Sequence, residues 1–474
     1  MPVHRLVAAA AALALGAGAA RAADPEIKFE KYQLKNGLTV ILSEDHRLPQ
    51  VAVNIWYHVG AANQSLGKSG FAHLFEHMMF SGSKHVQPSP FKVLEAIGTS
   101  AGAMANGTTN FDRTNYFEVV ASSELPTALW IESDRMAFLL DTLDQKKLDI
   151  QRDVVSNERR QSYENRPYGT ESLRICDLLY PSPHPYYECV IGSIPEIEGA
   201  TLADLRAFFR EYYGPNNASL ALVGDFDPAV AKQLIEKYFG AVECCGLRTP
   251  PGAGEAVSSV AFPAVVKRPD LPPPHIESVV KETLVDKLAE VPRFDLVWAG
   301  LKPFSDDEAA GDVLADVLGS GRTSRLYKSM VFDKQVASEV DASDVALGLG
   351  GWFTVGAVAK AGHTASELAP LIQASIDDLK KSGPTQEEVD RAVRKFVAQK
   401  ARAVERIGGF GGKADVLNEY QTFLDDPGYL PRDIARYRAV TPALVRAFAN
   451  KYLLDGQRIE LTVEPAAQKQ ASAQ

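Results

Sequence analysis

Apolar and polar positions alternate in two short runs, Tyr32 to Leu34 and Leu38 to Leu42, on either side of Asn36-Gly37. Asn-Gly is the pair that most readily takes the positive φ angles of a tight turn, so this stretch predicts a β-hairpin. Val51 to Val59 predicts the next strand. The apolar spacing then lengthens from two to between three and four, and Gly70 to Phe80 and Pro90 to Ile97 predict helices. Ala105 to Ala121 alternates again and is rich in Thr, Tyr, Phe and Val, which fits strand and turn. Leu125 to Leu140 and Lys146 to about Asn165 predict two longer helices.

From Thr249 to Pro274 periodicity fades into Pro, Gly and Ala, the composition of a linker. Beyond it the order of strand then helix starts again, and two segments match in pattern. The first is His73-Leu74-Phe75-Glu76-His77-Met78-Met79-Phe80-Ser81-Gly82; the second is Asp312-Val313-Leu314-Ala315-Asp316-Val317-Leu318-Gly319-Ser320-Gly321. Each follows a strand and ends in Ser-Gly, which points to an internal duplication. The expected fold class is α+β: two homologous sheet-plus-helices domains at 23–248 and 275–466, joined by a Pro/Gly-rich linker at 249–274 and followed by a tail at 467–474. The copies differ in chemistry. Asp312, Ala315 and Asp316 stand where the first copy has His73, Glu76 and His77, so only the first offers a histidine pair to a metal.

With 474 residues the chain exceeds one ordinary core. Its 46% hydrophobic and 23% charged content is that of a soluble globular protein. A formal charge of −10, from 50 basic and 60 acidic residues, argues against a nucleic-acid ligand. His4 and Arg5 precede an apolar run from Leu6 to Ala20 that ends in the small-x-small triplet Ala20-Arg21-Ala22. This predicts a secretory signal over 1–22, cut after Ala22, and a periplasmic destination. No later segment is apolar for long enough to span a membrane. The four cysteines are too few for a disulfide scaffold. Cys176 and Cys189 are compatible with a bridge or with two buried thiols, and Cys244 and Cys245 carry no assigned chemistry.

On a helix, residues four apart lie one above the other, so His73 and His77 can both reach one metal ion. Glu76, three residues from His73, shares that face and can take a proton from a water activated by the metal. A catalytic zinc site needs a third protein ligand and one open position. Val154, Val155 and Glu158 share a face of the later helix, and a carboxylate on a packed face is costly unless paired or ligated. Glu158 is therefore the candidate third ligand; the competing reading makes it an exposed glutamate in a charged face with Arg159 and Arg160. His46, His58, His85, His184, His275 and His363 lack such pairing and read as structural or solvated.

His73-Leu74-Phe75-Glu76-His77 followed by Val154-Val155-Ser156-Asn157-Glu158 resembles the pitrilysin/insulinase family of inverted-motif zinc peptidases. Leu318 to Tyr327 matches that family's second domain. The resemblance implies that His73, His77 and Glu158 bind one zinc ion, that Glu76 is the base, and that the chain hydrolyses peptides. It also implies dimerisation and a substrate bound as an added strand along Ala105 to Tyr116, with Asn106 as a substrate contact. A core strand with a turn is the plainer reading of that segment. Two departures stand out. Gln151 replaces a supporting glutamate two turns before Glu158. Phe332 and Glu339 stand where active relatives carry an Arg and a Tyr that hold the developing oxyanion, which neither can do. A heterodimer whose partner supplies that Arg/Tyr pair is one expectation; a non-catalytic subunit of the same fold is the alternative to an active endopeptidase.

Overall fold

The alternating segments become two mixed sheets in the computed structural model, which describes residues 24–243 and 269–466. The expected signal, Cys244, Cys245, linker positions 249–268 and the tail lie outside the described residues. In the first sheet, β1 (Glu30–Gln33) and β2 (Thr39–Glu44) pair antiparallel through the expected hairpin. Its turn differs from the tight two-residue form. Leu34 and Leu38 close the loop, Gly37 N–H donates to Leu34 O at 2.9 Å, and Gly37 takes the positive φ of +91°. This is the three-residue loop with a glycine bulge. Asn36 instead sends its side chain inward to the carbonyls of Phe239 and Val242, at 2.7 and 3.1 Å.

β3 (Gln50–Tyr57), β4 (Ala105–Thr109), β5 (Thr114–Ala121) and β6 (Ala218–Gly224) complete the first sheet in the order β1-β2-β6-β3-β5-β4. The second sheet holds β7 (Val280–Asp286), β8 (Arg293–Ala299), β9 (Ala337–Val345), β10 (Trp352–Ala359) and β11 (Ile459–Pro465), ordered β7-β11-β8-β10-β9. With β1 set aside, the two orders agree strand for strand. In each, the strand that comes last in the chain pairs parallel with the first, β6 with β2 and β11 with β7, and the other pairings are antiparallel. The matching helices occupy equivalent places, Phe71–Met78 after β3 and Glu308–Gly319 after β8. The duplication read from one motif thus extends through the whole topology.

β3 and β6 are buried on both faces, which explains their near-continuous apolar sequence. One face carries the first half's helices. The other is covered by the helix Lys413–Leu424 from the second half, whose Ala414, Leu417 and Tyr420 pack with Ile41, Ala52, Ala221 and Val223. Asn418 locks it there, accepting from Ser219 Oγ at 2.8 Å and donating to Asn54 O at 2.9 Å. The halves also meet through Arg293, whose guanidinium pairs with Glu171 at 2.8 Å, Asp295 at 2.6 Å and Asp341 at 2.9 Å. Cys176 and Cys189 are joined as a disulfide. Among the described residues, no helix is long and apolar enough to cross a membrane.

Candidate metal centre

Phe71, Leu74, Phe75 and Met78 recur at helical spacing and are all buried in the main core. That seating turns the opposite face, His73, Glu76 and His77, away from the core. The helix starts at Gly70, in the left-handed conformation with φ +78°. Gly192 approaches so closely that an added Cβ would lie 2.4 Å from the Gly70 Cα. The helix end is therefore fixed by backbone contact that only glycine permits.

The helix Gln145–Arg159 crosses beside it and brings Glu158 to the two imidazoles. His73 Nε2 and His77 Nε2 lie 3.3 Å apart. Glu158 Oε1 is 3.6 Å from His73 Nε2, and Oε2 is 3.2 Å from His77 Nε2. Two donors at about 2.0–2.1 Å from a tetrahedral zinc ion are roughly 3.3–3.4 Å from each other. The observed edges fit that triangle. Among the described residues, these three are the one group of histidine, cysteine and carboxylate side chains gathered closely enough to share an ion. Burial and the neighbouring His77 push the His73 imidazole down to about 4 despite Glu158, which keeps it in the neutral form a metal ligand requires. His77 holds the Glu158 carboxyl below its usual range.

Glu76 is 7% exposed. Burial raises its carboxyl above the usual range, while the hydroxyl of Thr109 at the end of β4 donates to its Oε2 at 2.6 Å. Thr109 belongs to no metal-ligand motif in the sequence. Its signal was the alternation of β4, which places Thr109 with Ala105 and Gly107 on the face toward the histidine helix. Asn106 points to the other face; its Oδ1 accepts from Gly107 N–H at 2.9 Å. β4 ends the sheet order; past Ala105, which bridges Ala101 and accepts from Gly102 N–H at 2.8 Å, no strand among the described residues pairs with its outer edge.

Val155 is buried as expected, but Val154 is 41% exposed, so the apolar side of this helix is narrower than its sequence suggests. Gln151 donates to Ser81 Oγ at 3.2 Å, bracing the end of the histidine helix. In the second copy the equivalent face is closed by a hydrogen bond and an ion pair. Asp312 accepts from Tyr437, and Asp316 pairs with Lys395, which also donates to Ser320 Oγ at 2.6 Å. Lys395 lies on the helix Gln386–Ala403, which packs on Glu308–Gly319 as Gln145–Arg159 packs on Phe71–Met78. A lysine thus occupies the side from which Glu158 approaches in the first copy. Phe332 is 73% exposed, and Glu339 is exposed on β9.

Residues 39–174 match the family model described as Insulinase (Peptidase family M16), and residues 199–396 match the one described as Peptidase M16 inactive domain. The "Zinc protease PqqE" of Helicobacter pylori is 28% identical over 467 residues, covering 98% of this chain and 99% of that one. The crystal structure of a protease from Helicobacter pylori superposes with a TM-score of 0.81 at 25% identity, over 93% of this chain and 100% of that one. The first half of the periplasmic protease PqqL from Escherichia coli shares the fold, with a TM-score of 0.69 at 19% identity, over 94% of this chain and 93% of that one. With both of its homologous halves matched in chain order, the chain belongs to the insulinase family of M16 peptidases.

Proposed function

We propose that this chain is a zinc-dependent endopeptidase that hydrolyses short or unfolded peptides, with His73, His77 and Glu158 as the ligands of one zinc ion and Glu76 as general base. The supporting observation is the triangle of donor atoms, 3.2 to 3.6 Å on a side, with the Glu76 carboxylate on the same helix face. A bound zinc ion supplies the polarisation that makes a water acidic and a carbonyl electrophilic. The chain's own part is to position and to move protons. Glu76 takes the proton from the attacking water and returns it to the leaving amine. The outer edge of β4 past Ala105 offers backbone groups to an extended peptide, a mode that tolerates many side chains, with Asn106, whose Oδ1 holds the Gly107 N–H, as one contact.

The chain works in the periplasm after cleavage behind Ala22, and as a dimer. Phe332 and Glu339 favour one refinement: a homologous partner supplies the Arg and Tyr that steady the oxyanion, and the isolated chain turns over slowly. Zinc content and cleavage of an unstructured peptide, before and after Glu76→Gln, test the reading. Cleavage lost by about a thousandfold with zinc retained is the expected outcome. Equal cleavage by both proteins, or none from either with any partner, contradicts it. Full activity from the purified chain alone removes the need for a partner but leaves the zinc chemistry intact.

A further inference from the structure

Among the described residues, one hydrogen bond reaches the Glu76 carboxylate, and it comes from a residue outside the histidine helix. Thr109 Oγ1 donates to Glu76 Oε2 at 2.6 Å. A hydroxyl has a single hydrogen to give. Thr114 gives its own to Val59 O at 2.9 Å, so it can only accept across the 3.3 Å contact with Thr109 Oγ1. The carboxylate, charged and closer at 2.6 against 3.3 Å, is the acceptor that takes the Thr109 hydrogen. We propose that Thr109 is a positioning residue that fixes the Glu76 side chain and leaves Oε1 as the oxygen that exchanges the proton. This rests on the reading of Glu76 as base.

The backbone around Thr109 is built to hold that hydroxyl in place. Thr109 pairs with Thr114 at the end of the β4–β5 ladder. The connecting turn is closed by Asn110 N–H to Arg113 O at 2.9 Å, and Asn110 Oδ1 accepts from Asp112 N and Arg113 N, both at 2.8 Å. From outside, Ala62 N–H donates to Phe111 O at 2.7 Å. Asp112 at the tip accepts from Tyr186 OH at 2.7 Å and, across the junction with the second half, from Gly348 N–H at 2.9 Å. The donor is therefore held by contacts that do not involve Glu76. A glutamate free to change rotamer spends part of its time out of reach of the attacking water; one tethered at Oε2 presents Oε1 continuously. The tether is a hydrogen bond from a neutral hydroxyl and not a direct ion pair; it draws the Glu76 carboxyl down only in part, and burial still holds it above the usual range.

The test compares wild type, Thr109→Val and Thr109→Ser, each loaded with zinc and checked for fold by melting temperature, on one unstructured fluorogenic peptide. Valine keeps the shape of threonine and removes the donor. The expected result is a fall in kcat of about tenfold or more, with KM within about twofold and zinc content unchanged. Serine restores most of the rate. A crystal structure of metal-free Thr109→Val is expected to show the Glu76 carboxylate displaced from its wild-type position. A valine variant with wild-type kcat, a change confined to KM, a serine variant no better than valine, or an unmoved Glu76 overturns the proposal. Glu76→Gln in the same series keeps the two readings apart. If it cleaves like wild type, the base assignment fails on its own, whatever Thr109 does.

Discussion

Glu76 shares a helix with the histidine pair and Glu158 faces that pair from another, yet their surroundings differ. Glu76 is buried and tethered by a neutral hydroxyl. The Glu158 side chain is 41% exposed, and its two oxygens face one imidazole each. The first suits a group that gains and loses a proton, the second a permanent anion beside a cation. Glu158→Ala is accordingly expected to weaken zinc binding by at least about a hundredfold, read by competition with a fluorescent chelator, whereas Glu76→Gln retains the metal. Equal zinc affinity in wild type and Glu158→Ala contradicts the assignment. At this scale the histidines were legible because i, i+4 spacing is a local property of one helix. Glu158 was legible only as a carboxylate near an apolar face, and Val154 misstated how wide that face is. Thr109 was not legible, since its contact with Glu76 arises where the end of a strand meets a helix more than thirty residues earlier in the chain.

Among the elements, predicted helices and strands fall close to their observed ends because the apolar period changes cleanly between them. The hairpin shows what such periods leave open. Asn36-Gly37 marked a turn, but the closing pair and the inward side chain of Asn36 depend on contacts with Phe239 and Val242, distant in sequence. One helix end yields a test of electrostatics away from the metal centre. Glu388 closes a capping box with Thr385 and takes the Arg325 guanidinium through both oxygens, at 2.9 and 2.8 Å. Burial alone pushes its carboxyl up, but Arg325 and the Thr385 donors outweigh it and hold the group down to about 2, against 4.5 for a free glutamate. A depressed carboxyl contributes stability that is complete above the unfolded value and lost as pH falls toward the folded one. Glu388→Gln should lower Tm by about 2–4 °C at pH 7. That difference should shrink between about pH 4.5 and pH 2. A difference that stays constant across this range contradicts the ion-pair account.

For the whole molecule, the duplication was visible from one matched segment because both copies kept the apolar positions of the same helix. Sheet order carries the likeness further than side chains do, as the two sheets agree in topology while the histidine positions of one have become Asp312 and Asp316 in the other. Long-range pairing was out of reach of periodicity. Nothing in the local pattern of Lys413–Leu424 announces that it covers the other half's sheet. Nor does the sequence of Asp112 announce its bond to Gly348. The proposed function requires one metal per chain, held in the first half alone. Diffraction from zinc-loaded crystals, recorded on both sides of the zinc absorption edge, tests this most directly. The account predicts a single anomalous peak per chain, about 2.0–2.1 Å from His73 Nε2, His77 Nε2 and a Glu158 oxygen, and none beside Asp312 and Asp316. No peak between the histidines, or one that excludes Glu158, contradicts it.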